Sequence, residues 1–412
     1  METKHNRKPI IALLIANAFS QLGNTLSFLA IPWFVLEITG SASKTGIAVA
    51  MGAIPVVVVG LIGGAVVDRL GFRRTSVISD VASGMTVVAI PALHLSIGIQ
   101  YWQLLILIFL GALLDMPGAT ARRSLFPDLA HLAGYKLERA NASYALVNRM
   151  ALLFGPPLAG VLVALIGASN VLWFTGLTFV ISSLVVQFGV PKPGVPEDPD
   201  PSAAPSRYIQ EVVEGFQFIW RERTIFWMIV MTSVGSLLAE PLYSVVLPVY
   251  GREVLGSAAA LGLAFSGLAL GSIAGNLVYA WRGYRLPRRL VVIGGYSARA
   301  GVFCLLVFQP SALGLAILMF ASGIVLEPVN PIFHTILQER VPARMRGRVF
   351  AAVMAIGMAS MPVGMIAYGF LIELAGMQAT LIVLAAVNLL LPLMMFFTRA
   401  LRNMDPLSSP ES

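Results

Sequence analysis

Long uncharged apolar runs alternate with short charged islands along most of the chain. The runs cover about 10–36, 45–67, 75–98, 101–121, 140–166, 170–190, 224–250, 258–281, 288–308, 311–333, 348–373 and 378–398. Crossing the hydrocarbon core takes about 20 residues of helix, and each run is long enough. Backbone polar groups in lipid must be satisfied within their own segment, so the runs predict helices. The pattern therefore predicts an all-α membrane protein with twelve transmembrane helices. One interruption differs from the others. Residues 191 to 205 read Pro-Lys-Pro-Gly-Val-Pro-Glu-Asp-Pro-Asp-Pro-Ser-Ala-Ala-Pro, a proline density that precludes a helix and favours an extended, solvated linker. After it, Ile209, Val212, Val213, Phe216 and Ile219 recur at helical spacing. That spacing predicts an amphipathic helix lying on the membrane surface. The expected organisation is an N-terminal six-helix bundle at 1–190 and a cytoplasmic linker with its amphipathic helix at 191–223. A C-terminal six-helix bundle at 224–401 and a cytoplasmic tail at 402–412 complete it.

The charged islands orient the spans. If the chain starts inside, 24 of its 28 Lys and Arg residues fall on the cytoplasmic side, and only Lys44 and Arg252 fall outside. Basic residues in short loops stay cytoplasmic, so both termini are expected there. The first residues are short and basic, and the run from residue 10 is too long for a signal core, so no cleavable signal peptide is expected.

Composition agrees with this reading. The chain is 57% hydrophobic and 12% charged, with mean hydropathy +0.83. The net charge of +8 reflects the cytoplasmic loops, so no nucleic-acid partner is expected. The single Cys304 excludes an intrachain disulfide, and the four histidines lack metal-ligand spacing. There is no phosphate-binding Gly-x-x-x-x-Gly-Lys-[Ser/Thr] loop and no nucleophile–base arrangement. No cofactor, metal, ATP-driven step or catalytic residue is expected.

The halves look like repeats. At a shift of 216, Glu37-Ile38-Thr39-Gly40-Ser41-Ala42 falls on Glu253-Val254-Leu255-Gly256-Ser257-Ala258. At a shift of 212, Gly111 to Asp115 falls on Gly323 to Glu327. Ionisable groups inside spans are costly and normally face a cavity or a partner. Here they are Asp80, Asp115, Glu240, Glu327, Arg149 and Arg299. Asn17, Gln21 and Asn24 add polar groups to the first span, and Asn24 is the repeat counterpart of Glu240.

The island Gly64-Ala65-Val66-Val67-Asp68-Arg69-Leu70-Gly71-Phe72-Arg73-Arg74 resembles the G-x-x-x-D-R-x-G-R-[RK] loop between helices 2 and 3 of the major facilitator superfamily. The equivalent loop of the second half keeps arginines but has Tyr284 in place of the aspartate. Gly155-Pro156-Pro157-Leu158-Ala159-Gly160 resembles in part the G-P-x-x-G-G motif of that superfamily's antiporters. A kinked packing helix is the other reading of this stretch. Pro127-Asp128, Ala140-Asn141 and Leu337-Gln338-Glu339-Arg340-Val341-Pro342 look like the bacterial drug and siderophore exporters, and the mycobacterial multidrug efflux branch above all.

The resemblance implies two pseudo-symmetric six-helix bundles and a monomeric secondary transporter of the bacterial inner membrane. Its expected partners are the bilayer, protons and small lipophilic, cationic solutes, exported in exchange for protons. A cytoplasmic gate of Asp68, Arg69, Gly71, Arg73, Arg74, Arg122 and Asp128 is implied, with Asp68 meeting the start of span 11; an ordinary topological loop is the other reading. Spans 1, 4, 7 and 10 line the cavity in that fold. This points to Asn17, Gln21, Asn24, Phe28, Tyr243 and Phe333 as cavity residues, against lipid-facing packing for the aromatics. Glu240, Glu327 and then Asp115 are the expected proton carriers, against acids held in structural ion pairs. Drug exporters often carry an arginine within span 4, and none is expected before Arg122. Export of a self-made metabolite such as a siderophore is the alternative. A membrane enzyme or lipid scramblase is a weaker one.

Overall fold

The structure is a computed structural model. It describes residues 6–191, 214–342, 345–398 and 404, without the side chains of 56–69, 284, 351 and 354. The described residues are helical almost throughout. The first part contains α1 (Lys8–Thr39), α2 (Ala42–Leu70), α3 (Phe72–Ser96), α4 (Tyr101–Leu132), α5 (Leu137–Ile166) and α6 (Ala168–Gly189). The second contains α7 (Arg223–Pro241), a π-helical turn (Leu242–Val246), α8 (Leu247–Glu253), α9 (Ala258–Trp281), α10 (Arg288–Leu306), α11 (Ala312–Leu326), α12 (Val329–Arg340) and α13 (Arg346–Phe397). Ten of the described helical stretches are long and apolar enough to cross a membrane. One of them, α13, leaves helical geometry at Gly376 (φ 82°, ψ 166°) and so covers two of the expected spans.

The chain divides into two compact units, Met1–Gly40 with Ile47–Pro205, and Ser41–Gly46 with Ser206–Ser412. In the first, α1 packs on α5 and α6, and α3 on α4 and α6. One core cluster there joins Ile10 and Leu13 of α1 to Leu125, Phe126 and Leu129 of α4 and Val186 of α6. In the second, α9 packs on α11, and α13 on α7 and α10. Its clusters centre on Met228, Tyr296, Ile332 and Met395, and on Ile225, Leu337 and Val349.

The repeat is legible in the backbone. Gly40 and Gly256, counterparts in the sequence, have φ 62° and 64°. A left-handed residue after a helix is accessible to glycine without steric cost. Gly167, between α5 and α6, and Gly376, in the break of α13, share φ 82°.

Most of the expected linker lies outside the described residues. Residues 214–221 are helical. There Ile219 is buried against Ile225 and Leu337 of the second unit. Glu214 pairs with Arg348, and Glu222 with Arg340 at 3.1 Å.

Candidate functional site

The first unit holds two polar groups of side chains. In one, Tyr144 donates to Asn17 Oδ1 at 3.1 Å, and Asn17 donates to Asn148 Oδ1 at 2.8 Å. Gln21 also donates to Asn148, at 3.3 Å. One helical turn on from Gln21 along α1, Asn24 donates to Asp115 Oδ2 at 3.0 Å. The other carboxylate oxygen of Asp115 is buried without a hydrogen-bond partner. Asn17, Gln21 and Asn24 recur at the spacing that puts side chains on one helix face. Thus α1 presents an amide stripe to α4 and α5. Asn148 and Tyr144 went unremarked in the sequence, although Asn148 is a polar residue inside an expected apolar span, and that is a readable signal.

In the second group, Arg122 Nη1 lies 2.7 Å from Asp80 Oδ1. Ser182 donates to Asp80 Oδ2 at 2.6 Å, and Arg122 Nη2 donates to Ser20 Oγ at 2.8 Å. Here the structure departs from the expectation that Arg122 begins a cytoplasmic loop and that span 4 lacks an arginine. Helix α4 runs on to Leu132. At 1.5 Å per residue its 32 residues make about 48 Å, well over the hydrocarbon thickness. Arg122 is therefore a helix residue enclosed by α1, α3 and α6, and its partner is Asp80. Arg123 and Asp128, farther along the same helix, are exposed.

Of the other gating residues, Asp68 and Arg69 have side chains outside the described set, so the expected contact of Asp68 with the start of α13 lies outside it too. Gly71 separates α2 from α3. Arg73 donates to the carbonyl of Gln187, and Arg74 is exposed. The antiporter-like motif sits in α5. A Cβ on Gly155 would collide with the side chain of Thr25, while Pro156 and Gly160 are buried. The small residue thus lets α5 approach α1 beside the amide stripe.

In the second unit, Glu240 is followed by Pro241 and the π-helical turn Leu242–Val246. Single π turns inside α-helices are frequent at functional sites. The turn carries Tyr243, which is hydrogen-bonded to Ser322 of α11 and within electrostatic reach of Glu240, Glu327 and Arg299. Its ring lies 6.4 Å from that of Phe265. Glu327 sits where α11 gives way to α12, with Pro328 after it and the Asn330 N–H donating to its carbonyl at 3.2 Å. Its sequence counterpart Asp115 is in the middle of the unbroken α4. Arg299 is 2% exposed, lies over the rings of Tyr296 (4.9 Å) and Phe303 (5.7 Å), and leaves its Nε and Nη2 without hydrogen-bond partners. Tyr243 thus lies within electrostatic reach of both expected proton carriers of this unit. Phe333 packs in the core beside Met228 and Tyr296, whereas Phe28 is exposed.

Among the described residues no group of His, Cys, Asp and Glu could hold a metal ion.

The family model of the Major Facilitator Superfamily matches residues 13–259 and 233–411. The chain belongs to that superfamily. A member whose model covers nearly the whole chain is a membrane transporter, and solved transporters share the fold. The nucleoside transporter NupG superposes with a TM-score of 0.73 over 95% of this chain and 99% of its own, at 12% identity. The xylose transporter XylE from E. coli, in an inward-open conformation, gives 0.67 over 94% and 95%, at 13% identity. Among curated superfamily members, the chain is 32% identical to the multidrug efflux pump Tap of Mycolicibacterium fortuitum, over 99% of this chain and 100% of that protein. It is 29% identical to Tap of Mycobacterium tuberculosis, over 97% and 96%. It is 23% identical to macrolide efflux protein A of Streptococcus pyogenes, over 89% and 90%.

Proposed function

We propose that this superfamily member is a secondary active exporter that moves lipophilic, cationic drug-like compounds out of the cell in exchange for protons. Full-length similarity to proteins named multidrug efflux pumps supports the drug-efflux part. The proton part rests on one observation, the arrangement around Tyr243. Glu240 stands before the π turn with Pro241 between them, Glu327 sits at a helix break, and Tyr243 in the turn is within electrostatic reach of both. A carboxyl group in a closed apolar site favours its neutral form, and one opened to water or to a cation favours its charged form. Alternation between the two couples proton to solute without ATP. Asp115, held by Asn24, is the third carrier. Asn17, Gln21, Asn24, Phe28, Tyr243 and Phe333 contribute to the solute path.

The same proposal takes the bacterial inner membrane as the location and a monomer as the working unit. It has twelve spans, six on each side of a cytoplasmic linker at 191–223, with both termini cytoplasmic. The gate residues Asp68, Arg69, Gly71, Arg73, Arg74 and Asp128 lie on that side, and Gly155, Pro156 and Gly160 shape the kinked packing of α5.

The test is uptake of a fluorescent lipophilic cation into inverted vesicles under an imposed proton gradient. Glu240→Gln or Glu327→Gln is expected to abolish gradient-driven uptake and to leave binding of neutral solutes intact. Single and double variants that still concentrate the dye, with normal pH dependence, would overturn the assignment.

A further inference from the structure

Asn148 of α5 is held in one orientation. Its Oδ1 accepts from Asn17 Nδ2 at 2.8 Å and from Gln21 Nε2 at 3.3 Å. Turning the amide over would set its NH2 group against two other NH2 groups, so these bonds decide which end of Asn148 faces α1. Asn17 is fixed in the same way. It is 1% exposed, and its own Oδ1 is taken by the Tyr144 hydroxyl at 3.1 Å. Tyr144 stands one turn before Asn148 on α5, with its ring 5.1 Å from that of Phe126, a buried residue of α4. The bonds from Tyr144 to Asn17 to Asn148 therefore all run donor to acceptor in one direction. They end on an oxygen whose two lone pairs are both used.

The Asn148 Nδ2 group is left over. It has no hydrogen-bond partner among the described residues. Asn148 is half-buried, as are Gln21 and Asn24 opposite it. Phe28, one turn beyond Asn24 on α1, is 40% exposed, and Leu152, one turn beyond Asn148 on α5, is 51% exposed. The amide stripe is thus an accessible wall with apolar surface beside it, and on that wall Asn148 offers N–H donors alone. A donor without a protein partner takes its acceptor from water or from a solute. An apolar surface with a few fixed polar groups is the usual make-up of a small-molecule site. Asp115, held by Asn24 one turn farther along the stripe, adds an acid for a solute's positive charge.

We propose that Asn148 is a specificity-determining residue of the exporter. It donates a hydrogen bond to an acceptor oxygen of the transported cation, an ether or a carbonyl. It so favours oxygen-bearing cations over hydrocarbon ones of the same size and charge. Tyr144 and Asn17 are positioning residues that keep its donors turned toward the solute. The inference rests on the reading above that the chain exports lipophilic cations, and it adds the chemical group by which this unit tells them apart.

Two cations that differ in one group test it. Methoxyethyl-triphenylphosphonium carries an ether oxygen where butyl-triphenylphosphonium carries CH2. Their affinities for the purified full chain are measured by equilibrium dialysis in detergent, and the ratio of the two is the readout. One neutral hydrogen bond changes affinity by about 3- to 10-fold. Asn148→Leu is expected to shift the ratio by that factor against the ether, and Asn148→Ala to do the same should the leucine variant fail to fold. Tyr144→Phe is expected to shift it part of the way, because Asn17 then loses the bond that orients it. A ratio unchanged by the Asn148 variants overturns the proposal. So does a parallel fall of both affinities with the ratio kept, which is what a structural role would give. A Tyr144→Phe ratio equal to that of wild type overturns the positioning role. Gradient-driven uptake of a cationic dye is measured in inverted vesicles carrying the same chains. Dye uptake with an unchanged ratio refutes the role of Asn148 alone. A shifted ratio without dye uptake keeps that role and refutes the export reading. Absence of binding by both cations removes the two readings together.

Discussion

Arg122 and Asp80 form an ion pair at 2.7 Å inside the first unit, with side chains 2% and 0% exposed. Ser20 and Ser182 complete the shell. Burying two charges costs several kcal/mol each, and only close geometry with further hydrogen bonds offsets it. This arrangement meets both conditions and ties α3 and α4 to α1 and α6. Removing one partner leaves the other charge buried alone. Arg122→Met or Asp80→Leu alone is expected to destabilise the protein by about 3–5 kcal/mol, and the double replacement by much less. Thermal unfolding of the purified variants in detergent measures this. Additive losses in the double variant would show that the two side chains act independently.

Gly155 faces the Thr25 side chain with no room for a Cβ. Overpacking of this kind costs about 1–3 kcal/mol. Gly155→Ala is expected to lower the unfolding temperature and transport together, and adding Thr25→Gly to restore part of both. Full activity of Gly155→Ala alone would mean that α1 and α5 separate without cost.

The gate is tested at Asp68. A carboxylate near a helix N-terminus is stabilised by the helix dipole. Asp68→Asn is expected to keep expression and monodispersity but to reduce dye export severely, because the cytoplasmic side closes less well. Wild-type export would leave the loop a topological role only.

Orientation is tested at the linker. With Cys304→Ser as background, a thiol introduced by Asp200→Cys is expected to react with an impermeant reagent in inverted vesicles and not in intact cells. The opposite result reverses the topology that the 24 cytoplasmic basic residues predict.

The class of protein follows from the linear order of residues. The apolar runs leave helix as the way to satisfy the backbone in lipid, and the Gly/Asp/Arg/Gly/Arg register of residues 64–74 carries the family. The repeat was also legible, because Gly40 and Gly256 serve the same chain reversal and show nearly the same φ. Candidate acids could be listed, since a charge in an apolar run stands out. Their partners could not. Arg122 reads as a loop residue next to Arg123, because linear hydropathy ends a span at the first charges. Only the continuation of α4 past the membrane thickness, and Asp80 waiting on α3, make burial of that arginine tolerable. Likewise Asp115 and Glu327 are equivalent in sequence, but one accepts from Asn24 in mid-helix and the other sits at a helix break. Hydrophobic periodicity records which residues avoid water. Which polar groups meet one another depends on how helices distant in sequence are rotated and shifted against each other, and packing decides that.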